Sequence, residues 1–312
     1  MYSPFLRGKQ FEFLALKELA KELPDSAKQN LFPIIEPVKR GVRDAKNAFQ
    51  ELLAQNLRFA VVLNPISGDF QRGDRNYYEL VKDVLPTPSD VWMPAFQLIK
   101  GEETLINSVL DANHFDKFSL ILPKDQLVDD WVNLLSDPRV QYIVVCNADS
   151  TSTRRKLNKT GKQLIRLDDN FTAEKKNADY IGKEDGFFTD QHFYYKLDSW
   201  TGFGDYTTLP SGFVEGGLTP YVVAIHFTYK LNTEEIRVHH FLSDSNPKGP
   251  ENVQGKFAEA ARKVMPFFSD KPEGNSRYIK RIQEFVDKQH YPGLGLLKKL
   301  SIEHHISLMA RY

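Results

Sequence analysis

The sequence predicts an α/β protein, an irregular TIM-like (β/α)8 barrel with an aromatic insertion and a C-terminal helical extension. Short β-branched and aromatic runs recur through the first half of the chain, and helix-like segments separate them. Apolar runs without polar alternation are typical of strands buried on both faces of a parallel sheet. Such repeats form either an open doubly wound sheet or a closed barrel. At least six repeats without a glycine-rich nucleotide fingerprint favour the barrel.

The elements of the first half follow one another with few interruptions. An amphipathic helix comes first, because Phe11, Leu14, Leu19 and Leu23 approximate one face. The predicted strands then span residues 32–37, 59–65, 93–97, 118–124, 142–147 and 164–169. The predicted helices between them span about residues 44–56, 77–84, 102–113 and 126–135.

The second half is less regular. Residues 186–190 suit a seventh strand, and residues 191–219 carry enough aromatic side chains to form an ordered insertion over the barrel mouth. Two apolar runs flank residues 231–233 at hairpin spacing, and they are expected to supply and extend the eighth strand. Helical periodicity follows, so the predicted domains are a barrel over residues 1–250 and a helical extension over 251–312 that packs on it.

Composition excludes several classes of protein. Lys plus Arg and Asp plus Glu both number 41 in 312 residues, so no global field draws the chain to nucleic acid or an anionic membrane. The single cysteine, Cys146, rules out an intramolecular disulfide and a cysteine-rich zinc site. No secretion signal and no run near ~20 apolar residues is present. A cytoplasmic location without membrane contact is expected.

A closed barrel predicts where the functional residues lie. The C-terminal ends of its strands surround one mouth, where such folds keep their chemistry. Polar residues follow most of the predicted strands, so they are expected to share this rim. The predicted ligand-binding residues are Arg7, Lys9, Lys39, Asn64, Gln97, Lys124, Asp205 and Tyr206. The predicted catalytic residues are Glu36, Asp168, Asp190 and His226.

Two chemistries suit the predicted catalytic set. Glu36, Asp168, Asp190 and Asp205 could share general acid and base work or hold a magnesium ion, which prefers oxygen ligands. Solvated loop acids and helix caps explain the same residues, and no compact ligand spacing identifies a metal site. His226 alternates with apolar neighbours and is placed to act as a base near neutral pH. A hydrogen-bonded structural histidine is the competing interpretation.

The basic residues favour an anionic ligand. Arg7, Lys9, Lys39 and Lys124 would give cationic contacts to phosphate or carboxylate, although ordinary surface charge explains them too. A denser basic stretch on a predicted helix could contact nucleic acid, but a solvated helix face accounts for it equally well. That stretch consists of Arg154, Arg155, Lys156, Lys159 and Lys162.

Several motifs resemble the bacterial and phage "beta protein" family across nearly the whole chain. They are the start at residues 6–12, the Pro33-Ile34-Ile35-Glu36-Pro37 strand and the Gly204-Asp205-Tyr206 segment. The ending at residues 291–295, followed by Ser301-Ile302 and His304-His305, resembles a bacterial subgroup often encoded beside a second protein. The resemblance implies a barrel-like fold, mobile-element or phage-conflict biology and a protein partner, but no catalytic residue.

Two functions follow as hypotheses. The first is a barrel of a bacterial defence or mobile-element system that binds a phosphorylated or nucleotide-like ligand, with phosphodiester or nucleotide hydrolysis as an accompanying activity. The second is a non-catalytic regulator or scaffold of a neighbouring effector, because the chain carries no established catalytic motif.

Overall fold

A computed structural model of the protein describes residues 1–85, 87–123, 128–148, 151–215, 221–244 and 252–312. Within these ranges the chain forms two compact units. The barrel unit comprises Met1–Asp169, Gln191–Tyr206 and Ala310–Tyr312, and the second unit comprises Asn170–Asp190 and Thr207–Met309.

The strands and helices of the described residues alternate through most of the barrel unit. The strands are β1 (Phe5–Leu6), β2 (Ile34–Ile35), β3 (Phe59–Val62), β4 (Trp92–Gln97), β5 (Phe118–Leu122), β6 (Val140–Cys146), β7 (Gln163–Asp168), β8 (Asp185–Thr189), β9 (Gly202–Asp205), β10 (Ala224–Lys230) and β11 (Ile236–Leu242). The helices of the barrel unit are α1 (Gln10–Glu22), α2 (Asp25–Gln29), α3 (Arg43–Ala54), α4 (Tyr78–Val81), α5 (Glu103–Asn113), α6 (Val132–Ser136), α7 (Thr151–Asn158) and α8 (Gln191–Tyr194).

The sheet of the barrel unit is a nearly closed barrel of eight parallel strands, which confirms the predicted fold class. Its order is β1-β2-β3-β4-β5-β6-β7-β9, so each strand pairs with the next one along the chain apart from β8. Tyr2 forms a parallel bridge with Phe203. The Ser3 amide donates to the Phe203 carbonyl at 2.8 Å, and the Phe203 amide donates to the Met1 carbonyl at 3.0 Å. The segment before β1 thus joins β9 and satisfies its backbone groups.

The barrel lumen is filled by side chains from alternate strand positions. Ile34, Ala60 and Met93 are partners in register across β2, β3 and β4, and all three are buried. A dozen buried residues from the strands and their N-terminal approaches form this cluster. The opposite strand faces are covered by helices, as where Phe49 of α3 stacks on Phe59 at 5.7 Å. Burial on both faces explains why these strands are apolar without alternation.

The predicted identity of the last two barrel strands was wrong. Residues 186–190 overlap β8 and the hairpin forms β10 and β11, but all three belong to the antiparallel sheet of the second unit. The eighth barrel strand is β9, which lies inside the expected aromatic insertion. Sequence reasoning missed it because Gly202 and Gly204 interrupt the four-residue run. The earliest strand, β1, is only two residues long and was missed as well.

The second unit combines this sheet with the C-terminal helices. Their bounds are α9 (Val253–Arg262), α10 (Val264–Phe268), α11 (Arg277–Asp287) and α12 (Leu294–Met309). None of the helices in the described part of the chain is long and apolar enough to cross a membrane.

Helix α12 covers the edge of β10 with polar side chains. Ser301 donates its hydroxyl to the His226 carbonyl, and His304 Nε2 donates to the Thr228 carbonyl at 2.8 Å. His305 Nδ1 lies 2.9 Å from Thr228 Oγ1. These carbonyls would otherwise face outward unpaired from the edge strand. The adjacent histidines are therefore structural hydrogen-bonding groups.

The boundary between the units differs from the predicted domain boundary at residue 250. Helix α12 packs against β10, and α9 packs against both β10 and β11. The hairpin therefore shares a unit with the C-terminal helices. The expected packing of a helical extension on the barrel stays a prediction.

We expect Gly204→Ala to destabilise the protein by about 3 kcal/mol, because overpacking at a closed contact costs about 1–3 kcal/mol and here meets backbone. A Cβ at Gly204 would overlap the carbonyl oxygen of Ser3, whose amide bonds the Phe203 carbonyl of β9. Urea unfolding measures the change. Gly41→Ala is the matched control, because a Cβ there meets nothing within 4 Å. Equal free energies of unfolding for the two variants would contradict this account of closure.

Candidate ligand site at the barrel mouth

Glu36 accepts hydrogen bonds from several of the elements that form the barrel mouth. It follows β2 directly and its carboxylate is fully buried. Oε1 accepts hydrogen bonds from the Ile66 amide at 2.9 Å, the Ser67 amide at 3.2 Å and Gln97 Nε2 at 3.1 Å. Oε2 pairs with Arg7. Four donors from three neighbouring loops and strands compensate for burying this charge.

Arg7 is held in one orientation at the same mouth. Its Nη1 donates to Glu36 and lies 3.3 Å from Ser67 Oγ. The guanidinium carbon lies 5.0 Å from the ring centre of Phe5 and 5.6 Å from that of Tyr206. The Arg7 side chain keeps 17% of its surface exposed. Burial lowers the pKa of Arg7 from its ordinary value, yet a guanidinium stays charged at neutral pH.

Asn64 and Gln97 brace the ends of β3 and β4. Asn64 is fully buried, and its side-chain amide both donates to the Gln97 carbonyl at 2.9 Å and accepts from the Gln97 amide at 2.8 Å. Gln97 in turn donates its side chain to Glu36. Asn64 and Gln97 thus lie at the mouth, as predicted for ligand-binding residues, and these hydrogen bonds connect the strand ends.

Asp168 and Asp205 lie side by side in register at the ends of β7 and β9. Asp168 pairs with Arg166, two residues earlier on the same strand. Asp205 accepts a hydrogen bond from the Tyr2 hydroxyl at 2.7 Å. Burial first, and then the Asp205 charge, raise the pKa of Tyr2 well above its ordinary value, so the phenol keeps its proton. Both carboxylates therefore have a fixed donor.

Cys146 and Tyr206 lie close together at the mouth. Burial raises the pKa of the Cys146 thiol to about 11, although a hydrogen bond from Tyr206 and the charge of Arg7 oppose that rise. Burial also raises the pKa of Tyr206. Both groups are protonated at neutral pH, so Cys146 is a poor nucleophile.

The three lysines among the predicted cationic contacts, Lys9, Lys39 and Lys124, differ from Arg7 in their surroundings. The Lys9 amide donates to Glu12 at 3.0 Å, which begins α1. The Lys39 ammonium lies 3.5 Å from Asp69 in an exposed ion pair. Lys124 lies outside the described residues.

Asp190 and His226, two of the four predicted catalytic residues, belong to the second unit. Glu36 and Asp168 belong to the barrel unit. His226 and His240 are cross-strand partners, and their Nδ1 atoms lie 2.6 Å apart in a hydrogen bond. The Tyr180 ring lies 4.2 Å from that of His240. This environment fits the structural interpretation of His226 that the sequence left open.

The described residues contain no cluster of side chains suited to binding a metal ion. There, no three His, Cys, Asp or Glu side chains are grouped so that they could hold a metal ion. Magnesium therefore stays a prediction.

Sequence reasoning missed two residues of the mouth. Ser67 contacts both Arg7 and Glu36 from the loop after β3, and no local pattern identifies it. Arg166 pairs with Asp168, and the spacing of two on one strand was a usable signal, because such residues share a face.

No protein-family model, curated protein or solved structure matches the chain. The family resemblance therefore stays a prediction.

The histidine pair predicts an acid-sensitive second unit. Burial lowers the pKa of His226 to about 3 and that of His240 to about 4, below the ordinary 6.5. The unfolded chain then binds more protons below pH 6.5, so the free energy of unfolding falls as pH drops from 6.5 towards 4. Lowering the pKa of one histidine from 6.5 to about 4, as in His240, corresponds to roughly 3 kcal/mol.

Urea unfolding between pH 7.5 and 4.5 measures this slope. We expect the double variant His226→Gln, His240→Gln to flatten it, while His290→Gln, which removes an exposed histidine of the same unit, leaves it unchanged. An unaltered slope in the double variant would assign the acid sensitivity to other groups.

Proposed function

We propose that the barrel binds a small phosphorylated or nucleotide-like ligand at its mouth, with Arg7 as the anchor. The observation that carries the proposal is the fixed orientation of the Arg7 guanidinium. Glu36 and Ser67 hold one of its nitrogens, and two aromatic rings lie against it. A guanidinium oriented before binding loses little further freedom when it contacts a phosphate.

The aromatic side chains support a nucleotide-like ligand. Tyr206 is partly exposed beside the Arg7 guanidinium, and its ring lies 5.3 Å from that of Phe5. A planar base can stack on such a ring while Arg7 contacts the phosphate, since every base has a π-face.

The carboxylates favour binding as the primary activity. Glu36 accepts four hydrogen bonds, and Asp168 pairs with Arg166. A general base must reach the proton it removes. Hydrolysis of a phosphodiester or nucleotide would therefore need Asp168 to exchange its contact with Arg166 for one with the substrate.

The resemblance to the beta protein family supplies a biological setting for the proposal. On this resemblance we propose that the ligand serves a bacterial defence or mobile-element system, where a phosphorylated or nucleotide-like compound would act as substrate or signal. The motifs at residues 6–12, 33–37 and 204–206 carry the resemblance, and all three include residues of the mouth.

We expect Arg7→Lys to weaken the binding of ATP by about tenfold or more, because a lysine keeps the charge but loses the guanidinium geometry. Isothermal titration calorimetry with ATP and with pyrophosphate, each with and without magnesium, measures the affinity. Phosphate release in the same samples reports hydrolysis.

Arg72→Lys is the matched control, because Arg72 is an exposed arginine of the barrel unit. Thermal unfolding checks that the Arg7 variant remains folded, since the lysine still carries a positive charge for the buried Glu36. Wild-type affinity in Arg7→Lys would reject Arg7 as the anchor, and absence of binding by the wild-type protein to all four preparations would reject the proposed ligand class.

A second candidate function is that of a regulator or scaffold of a neighbouring protein. Strand β8 is an edge of the three-stranded sheet, and Phe187 on it is 55% exposed. An extended segment of a partner can add to such an edge through main-chain hydrogen bonds. Helix α12 offers a partner little surface, because most of its residues are buried.

We expect Phe187→Ser to reduce co-purification of the neighbouring-gene protein several-fold, because it removes the apolar contact from the exposed edge. Ile181→Ser is the control, since Ile181 is a similarly exposed apolar residue of the same unit. Pull-down with the full chain measures the captured amount. Equal capture by both variants and the wild type would reject this edge as the docking site.

A further inference from the structure

A cavity opens at the N-terminal ends of the barrel strands, at the end of the lumen away from the mouth. It has a volume of about 170 Å³. Phe32 and Tyr142 contribute aromatic rings whose centres lie 5.3 Å apart, and Met93 contributes a thioether. All three side chains are buried members of the lumen cluster. The floor of the cavity is therefore formed by the outermost lumen side chains at this end.

A cavity with this floor suits an aromatic ring. Barrel interiors are ordinarily packed in full layers of side chains. An engineered apolar cavity of about 150 Å³ takes up benzene, so one six-membered ring matches the available space. Aromatic rings and a methionine sulfur both interact favourably with a further ring.

The rim of the cavity carries a net positive charge. Arg58 lies immediately before β3, and its Nη2 donates to the Gln29 carbonyl at 2.7 Å. Lys117 lies 2.7 Å from Asp90, whose side chain is fully exposed, so this pair contributes little stability and can rearrange. Two cations and one carboxylate favour an anionic group at the opening.

We propose that this cavity binds a small aromatic carboxylic acid. The ring lies against Phe32, Tyr142 and Met93, and the carboxylate contacts the guanidinium of Arg58. The planar guanidinium matches the two oxygens of a carboxylate. This site is separate from the proposed anchor Arg7, which follows the C-terminal end of β1, so either site can fail without the other.

Benzoate is the probe, and benzyl alcohol is its neutral counterpart of similar size. Methyl-labelled methionine gives a small set of NMR signals, because the chain has four methionines, and Met93→Leu assigns the signal of Met93. We expect benzoate to shift the Met93 methyl signal in a saturable manner, and benzyl alcohol to bind at least tenfold more weakly.

Two variants test the assignment of the contacts. Arg58→Gln removes the carboxylate contact and should weaken benzoate binding at least tenfold, whereas Arg72→Gln, which removes an exposed charge, should leave it unchanged. Gln141→Trp places a large side chain at an exposed rim position and should block binding without altering the buried floor. It keeps the test informative if Arg58→Gln fails to fold.

Three results would overturn the proposal. They are a Met93 methyl signal that benzoate does not shift, equal affinity for benzoate and benzyl alcohol, or undiminished benzoate binding by folded Arg58→Gln or Gln141→Trp. Titration of the wild-type protein with both ligands separates the two proposals. ATP binding without benzoate binding rejects this site alone, and benzoate binding without ATP or pyrophosphate binding rejects the Arg7 site alone.

Discussion

Closure of the barrel is the constraint on which the rest of the barrel unit depends. Backbone hydrogen bonds join the Met1–Ser3 segment to Phe203, and this approach needs glycine, since a Cβ at Gly202 would lie 2.9 Å from the Met1 carbonyl oxygen. Closure brings Arg7, which follows the first strand, beside Tyr206, which follows the last. The cationic and aromatic parts of the proposed site therefore come from opposite ends of the strand order.

Charged side chains at the mouth are paired with one another, as Arg7 is with Glu36 and Arg166 is with Asp168. Glu36 is the deepest carboxylate, and its four donors come from Arg7, Gln97 and the loop after β3. A buried carboxylate with fewer partners would be costly. The same pairing fixes the direction of Arg7. The contacts that satisfy the buried Glu36 are therefore the same contacts that orient Arg7, the proposed anchor.

The second unit shows a different use of polar side chains. Histidine and serine residues of α12 satisfy outward-facing carbonyls of β10, while β8 leaves its edge without a strand partner in the described residues. Covering an edge with a helix protects it from pairing with other chains. The His226–His240 contact lies on the same sheet, and burial keeps both imidazoles neutral at physiological pH. These histidines are explained by structure alone.

The sequence by itself determined a parallel sheet, because strands buried on both faces must be continuously apolar, as residues 59–62 and 142–146 are. It favoured a closed barrel over an open sheet, and the backbone pairing of the Met1–Ser3 segment with β9 decided between them. The sequence also placed Glu36, Asn64, Gln97 and Asp168 at strand ends, and it named Arg7 as a cationic contact without predicting the strand that Arg7 follows. Tertiary structure alone decided that β9 completes the barrel. Locally, Gly202 and Gly204 favour a turn, but in the folded protein they allow the backbone of the Met1–Ser3 segment to approach β9 closely. Tertiary structure likewise assigned Asp190 and His226 to the second unit, because strand membership depends on hydrogen-bond partners distant in the chain, which local patterns do not encode.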